Sequence, residues 1–437
     1  MSDPITVAIV GSGPAGFYTA EALLRSGRAV AVDIVERLPT PYGLIRGGVA
    51  PDHQTTKNVT RKYEEVALDP AVRYFGNVEV GRDVSLDELR DAYDAVVLAI
   101  GSPFDRPLGI PGEDKKGVYG AAAFVGWYNA HPDFRNLDPA LDVHAAAVIG
   151  VGNVAIDVAR VLVKTPTEMT KADLPDYAAR AIQASPLTDV YMFGRRGPND
   201  AKFTNVELRE MGELDNCVPQ LDAAQLPKTV EGEASDRDRR LKEKNLATLW
   251  EFTKRRADEK PKRVHFCFYA APVAILGGER VEALRLERTQ VVAGQARGTG
   301  EFFEVPCGLV LPSIGYRGAP LEGAPFDAKA GIVANRDGRV ADGLYAVGWI
   351  RRGPTGVIAT NRPDGVAAAA FIAADFVHGR KPGRPQLEAL LASRRVQAIS
   401  FAEWKKIEAA EIAAAPPGAP RRKFATVADM LALVDES

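Results

Sequence analysis

Apolar residues along this chain gather in short unbroken runs rather than alternating with polar ones. Val7–Val10, Ala29–Val35, Tyr93–Gly101, Ala146–Ile149, Thr188–Phe193, Leu309–Ile314 and Leu344–Val347 are of this kind. Such runs predict strands buried on both faces, as in parallel sheets. Stretches with helical spacing lie between them: the alanine- and leucine-rich run after Gly16, residues 57–68, Val154–Val163, and Asn361 through Val377. Strand character is also expected over Val72–Val80 and Val264–Ala274, and a hairpin-rich β region over residues 281–310. Alternation of this sort predicts an α/β fold.

Three glycines sharpen that picture. Gly11, Gly13 and Gly16 follow the strand Val7–Val10 at G-x-G-x-x-G spacing and open the first helix, and the next strand closes on Glu36, twenty residues after Gly16. The first glycine permits the tight turn, the second lets a diphosphate approach the backbone, and the third lets helix and strand pack closely. A carboxylate at Glu36 can accept from ribose hydroxyls. Pro14, Ala15 and Arg37 fall within the same unit and are candidate cofactor contacts, as are Val80, Ile100 and Gly101 at the ends of later strands. A second motif, Gly150, Gly152 and Ala155, follows Ala146–Ile149, with Asn153 and Val154 opening its helix. Its next strand ends not in an acid but in Gly194-Arg195-Arg196-Gly197. Paired guanidiniums favour a 2′-phosphate over a free 2′-hydroxyl. Two motifs with different terminal chemistry imply two dinucleotides, FAD on the first and NADP on the second.

Irregular segments suggest further contacts. Residues 37–58 are rich in proline and glycine, and Gly43 and Leu44 begin a stretch suited to lie against a ligand. His53 is the only histidine before residue 131. Near the far end, Trp349 precedes the turn Gly353-Pro354-Thr355-Gly356, after which Val357 and Ile358 lead to a helix whose N-terminus suits the edge of a reduced flavin. Beyond Gly379, proline-rich joints separate short amphipathic helices that carry no recognisable chemistry.

Composition narrows the remaining choices. At 437 residues, 46% hydrophobic, 26% charged and with a formal charge of −2, the chain has length for two domains and no global basicity for nucleic acid. No apolar run reaches membrane-spanning length, and a start with only four residues before the first strand leads us to expect a cytoplasmic protein. Cys217, Cys267 and Cys307 stand singly, so neither a redox disulfide nor a four-cysteine cluster is expected, and no metal site. Residues 237–264 hold eleven Lys/Arg against five acids, either a solvated helix face or a landing patch for an acidic protein.

Taken with GLIRGGVAPDH, FVGWYN, GRRGP, FTNVELRE and GWIRRGPTGVIATN, these motifs resemble the ferredoxin–NADP reductases of the adrenodoxin-reductase type, flavoenzymes of the glutathione-reductase-like branch, over almost the whole length. The resemblance implies two Rossmann-like, three-layer dinucleotide-binding domains, with an NADP domain (105–324) inserted into an FAD domain (1–104 and 325–437, its extension beginning near 380). It implies hydride transfer from NADPH to FAD and single-electron transfer to an iron–sulfur ferredoxin. Trp349 and Gly356 then match residues flanking flavin and nicotinamide, and Asn153, Arg195 and Arg196 match the NADP contacts. His53, Glu207 and Glu210 match polar residues near the nicotinamide and flavin; His53 and Glu210 are the candidate catalytic residues. Arg209 and positions near Arg240 match the ferredoxin-docking surface. Two departures stand out: Asn199-Asp200-Ala201-Lys202 replaces the usual Leu-Gln-Ala-Ala, and the tight basic docking trio has no clean counterpart. The residues by themselves also admit a reductase of quinones or small acceptors, or a flavoprotein that binds both cofactors without turnover. Replacing Arg195 and Arg196 together by alanine is expected to raise KM for NADPH on the order of 30-fold and for NADH by under about threefold, measured by steady-state kinetics; equal effects would remove the 2′-phosphate assignment.

Overall fold

The computed structural model describes residues 3–230 and 235–435. They form two compact units. The first comprises residues up to Phe104, Asn129–Arg135 and everything from Tyr316; the second comprises Asp105–Tyr128 and Asn136–Gly315. The chain thus returns to the first unit at Tyr316 rather than at residue 325, and it visits that unit once more in between.

The first unit is built on a six-stranded sheet in the order Arg339–Ala341, Leu344–Ala346, Ala95–Leu98, Ile5–Val10, Val30–Val35, Val72–Phe75, parallel except for the first pair. Ile5 pairs with Val30 and Val10 with Val35, placing the two strand ends level. Ile5, Val7 and Ile9 face one core with Phe17, Ala20 and Leu23 of the first helix and Ala368, Ala369 and Ile372 of a late one. Ala8 and Val10 face the other core, with Leu86, Leu89, Leu387 and Leu391. Burial on both faces is why these strands read as unbroken apolar runs. Asp33 is the exception in its strand. It is buried, accepts from Tyr93 Oη at 2.8 Å and Arg384 Nε at 2.8 Å, and burial still raises its pKa above the usual range.

The second unit has a five-stranded parallel sheet in the order Leu309–Pro312, Ala145–Ile149, Asp189–Gly194, Lys262–Phe268, Cys217–Leu221. One face is covered by an antiparallel sheet of Ala270–Leu276, Ala283–Val292 and Gln295–Pro306, whose Ile275, Leu284 and Leu286 meet Ala147, Ile149 and Phe193. The helix Asn153–Val163 also packs on this sheet. The fold class is α/β with two Rossmann-like units, the second inserted into the first in sequence, and one outer layer of the second is a sheet.

Several element bounds differ from the sequence reading for visible reasons. Val264–Ala274 is two strands, because Tyr269 takes a left-handed φ of 56° that turns the chain from one sheet to the other. Val72–Val80 stops pairing at Phe75, since Gly76 exchanges backbone bonds with Ile399 instead. The helix expected over 57–68 spans Thr60–Ala67, and that expected from Asn361 spans Arg362–Asp375. No helix among the described residues is long and apolar enough to cross a membrane.

His131 belongs to the short segment that revisits the first unit. Burial holds its imidazole pKa down to about 4; Asp133 opposes the shift, and Arg37 and Arg46 add to it. Below the ordinary histidine value the unfolded chain takes up a proton that the folded one refuses, so this group's stabilisation is complete above pH 6.5 and declines as pH falls toward 4. Between pH 7 and 4.5, wild type is expected to lose about 2 kcal/mol more unfolding free energy than His131→Gln, by urea titration at both pH values; parallel losses would show that His131 titrates normally.

Candidate functional site

In the first unit the strand Ile5–Val10 ends in a turn that no other residue could make. Gly11 has φ +108°, and a Cβ there would lie 2.5 Å from the Ala99 carbonyl oxygen. The helix Pro14–Leu24 starts at once, with proline in its first turn and Gly13 as N-cap. No side chain caps its first amides, and a Cβ built on Gly13 meets no atom within 4 Å. An uncapped helix N-terminus facing open space is where a diphosphate fits.

Glu36, half-buried, accepts from Ser12 N at 3.0 Å and Ser12 Oγ at 2.6 Å through Oε2, and from Leu38 N at 3.2 Å through Oε1. The expected ribose acceptor is thus also the brace that ties one strand end to the glycine turn. Gly43, left-handed at φ +49°, lies against Gly13, and Tyr42 N donates to Ser12 O at 3.0 Å. Arg37 is paired with Asp133 at 2.6 Å. Ala15 is buried, and a Cβ on Gly348 would come within 2.6 Å of the Ala15 Cβ, which brings Trp349 beside the same helix start. The Trp349 indole donates to Thr355 O at 3.2 Å and its ring lies 5.9 Å from that of Tyr316. Gly356, Val357 and Ile358 continue from there into a short 3-10 helix, Ile358–Asn361, that precedes the long one. Ile100 and Gly101 follow Ala99, whose amide donates to Val10 O at 2.8 Å, and both are half-buried beside the turn. Val80 sits farther along, bridged to Val84. His53 stands at the N-cap position of the helical turn Gln54–Lys57, makes no side-chain capping bond there and is half-buried.

The second unit repeats the device. Gly150 has φ +142°, and a Cβ there would lie 2.3 Å from Ser313 O. Gly152 is the N-cap of Asn153–Val163, again with no side-chain cap, and a Cβ there meets nothing nearer than 3.8 Å. Asn153 Oδ1 accepts from Thr204 N at 2.8 Å, linking the turn to the helix Asn205–Glu210. Val154 follows in the first turn. Arg195 is exposed, while Arg196 pairs with Asp200 at 3.1 Å. The unusual acid after the arginine pair is therefore a partner of one guanidinium.

Two features escaped the sequence reading. Arg160 is wholly buried and its guanidinium holds Asp157 at 2.9 Å, Glu207 at 3.2 Å and Glu210 at 2.9 Å. An i,i+3 Asp–Arg pair on an otherwise apolar helix was the available signal. Asp364, also buried, accepts from Gly348 N at 2.9 Å and pairs with Arg351 and Arg352 at 2.9 and 2.8 Å, fixing the Trp349 turn.

Two parallel sheets, each with an uncapped helix start behind a glycine turn, define an oxidoreductase of the class that handles two dinucleotides. Residues 5–184 match the pyridine nucleotide-disulphide oxidoreductase family. Over 98% of its length the chain is 40% identical to the NADPH-ferredoxin reductase FprA of Mycobacterium tuberculosis, 98% of which is covered. It is 42% identical, again over 98% of its length, to the mitochondrial NADPH:adrenodoxin oxidoreductase of Bos taurus, 92% of which is covered. The solved structure of Mycobacterium tuberculosis FprA in complex with NADPH matches with a TM-score of 0.95, at 40% identity and over 99% of each chain. The chain belongs to the family of NADPH-ferredoxin and NADPH:adrenodoxin reductases.

Arg160→Met would remove the guanidinium that Asp157, Glu207 and Glu210 share and leave an apolar side chain among them. It is expected to lower the unfolding free energy by about 3–5 kcal/mol, measured by urea denaturation; a loss under about 1 kcal/mol would mean that the cluster is relaxed by water.

Proposed function

We propose that this chain is an FAD-dependent NADPH–ferredoxin reductase with FAD on the first unit and NADPH on the second. The observation that carries the assignment is the contrast between the two strand ends: Glu36, an acceptor, beside the first cradle, and Arg195 with Arg196 beside the second. When bound, FAD supplies the step between a donor of electron pairs and an iron–sulfur acceptor of single electrons. The chain's own residues hold and orient. Gly11 to Gly16, with Gly43 and Leu44, receive the FAD diphosphate, and Glu36 the ribose. Arg37, Val80, Ile100, Gly101, Gly356, Val357 and Ile358 complete that site, with Trp349 bounding it. Gly150, Gly152, Asn153 and Val154 receive the NADPH diphosphate, and Arg195 and Arg196 its 2′-phosphate. His53 and Glu210 are assigned to ordering the nicotinamide carboxamide, with Glu207 beside Glu210 on Arg160.

For the ferredoxin we favour one part of the basic stretch. Lys254, Arg255 and Arg256 pair with Glu251, Glu259 and Asp258, and Arg263 with Asp189, so that end is locally neutralised. The helix Asp236–Phe252 instead sets the exposed Arg237, Arg240 and Lys244 on one face, beside Leu241, which is 42% exposed. Asn205 Nδ2 donates to Thr248 Oγ1 at 3.0 Å, drawing alongside that face a helix whose Val206 and Arg209 are exposed. An apolar spot ringed by cations suits an acidic protein surface. We also place the chain in the cytoplasm, a reading with which its three unpaired cysteines are consistent.

Arg240→Glu combined with Lys244→Glu is expected to raise KM for an acidic ferredoxin about tenfold or more, and raising salt from about 0.05 to about 0.3 M is expected to slow wild-type ferredoxin reduction about tenfold. Stopped-flow measurements with both proteins check this; salt-independent rates would move the docking face elsewhere.

A further inference from the structure

The carboxy-terminal helices, in which the sequence shows no chemistry, reach the first cradle through a buried ion pair. Glu411 lies on the helix Phe401–Ala413 and its side chain is wholly buried. Its carboxylate takes both terminal nitrogens of Arg46, at 2.8 and 2.5 Å. Phe424 N donates to the same carboxylate at 2.9 Å, so Glu411 is itself held in place. Arg46 sits in the four-residue helical turn Leu44–Gly47, and its guanidinium carbon is 5.3 Å from the centre of the buried Trp404 ring. The backbone of that turn is held as well: Lys423 Nζ, also buried, donates to Arg46 O at 3.0 Å.

From this turn to the cradle the path is short. Gly43 is the N-cap of the turn, and a Cβ on it would lie 3.0 Å from Gly13 Cα. Tyr42 N bonds Ser12 O, and Ser12 bonds Glu36. Attachment of the segment does not need the ion pair, because Phe401, Trp404, Ile407 and Met430 are already buried in the core of the first unit. A buried pair adds little net stability over apolar packing, but it tolerates few geometries. What Glu411 and Lys423 add is therefore position.

We propose that Glu411 and Lys423 are positioning residues for FAD, and that the segment 400–424 is a strut that sets the turn 42–47 against the diphosphate cradle. The proposal rests on the assignment of FAD to the first unit. The test uses purified holoprotein as wild type, Glu411→Gln, Lys423→Gln and, as a packing control, Met430→Ala, which empties the same core without touching Arg46. FAD release is followed by the rise in flavin fluorescence on dilution, bound flavin by visible circular dichroism, and stability by thermal midpoint. Glu411→Gln and Lys423→Gln should each release FAD at least about tenfold faster and alter the flavin dichroism. Met430→Ala should lower the midpoint and release FAD within about threefold of wild type. Should Glu411→Gln fail to fold, Lys423→Gln carries the test. Wild-type release rates in both polar variants, or release rates that simply follow the midpoint across all three, would overturn the strut. A wild-type protein that holds no FAD would overturn the cofactor assignment, and the strut with it.

Discussion

The two proposed nucleotide sites depend on amide groups that no side chain caps. The helices Pro14–Leu24 and Asn153–Val163 begin at glycine N-caps, without the serine, threonine or aspartate that usually closes a helix start. At two other helices Ser85 and Ser400 form reciprocal capping boxes with Glu88 and Glu403. Leaving these helix starts open costs stability, and a diphosphate bound there would offset that cost with charge and acceptors. Strand order, the left-handed glycines and the space above Gly13 and Gly152 all keep those two ends accessible.

Around that shared constraint the two units differ where selectivity requires it. Glu36 is held by Ser12 and presents an acceptor, whereas Arg195 and Arg196 present donors. Asp200 pairs with Arg196, so of the two guanidiniums in the proposed 2′-phosphate site Arg195 is the exposed one. In the second unit one buried guanidinium serves three carboxylates, and Arg160 orients Glu207 and Glu210 without being exposed itself. In the first unit Asp364 performs the corresponding task for the Trp349 turn.

Much of this was legible in the residues because the relevant signals are local. The turn after Val10 and the one after Ile149 are each spelled out within a few positions, and the family resemblance read from those motifs and their neighbours agrees with the relatives found. Long-range partners were not legible. Nothing near Glu411 announces Arg46, which lies 365 positions away, and nothing near Gly76 announces the strand-like pairing with Ile399 that ends its own strand early. The left-handed Tyr269 was invisible for a different reason: it interrupts an apolar run whose periodicity suits either sheet. The basic stretch admitted two readings, a solvated helix face or a landing patch, and its residues alone did not show that Lys254, Arg255 and Arg256 pair with acids close by in the chain.

The measurement that bears most directly on the whole account is an anaerobic titration of the purified, FAD-loaded protein with NADPH and, separately, with NADH. The account predicts bleaching of the flavin absorbance near one equivalent of NADPH and a markedly weaker response to NADH. An absorbance spectrum that neither nucleotide changes would contradict it.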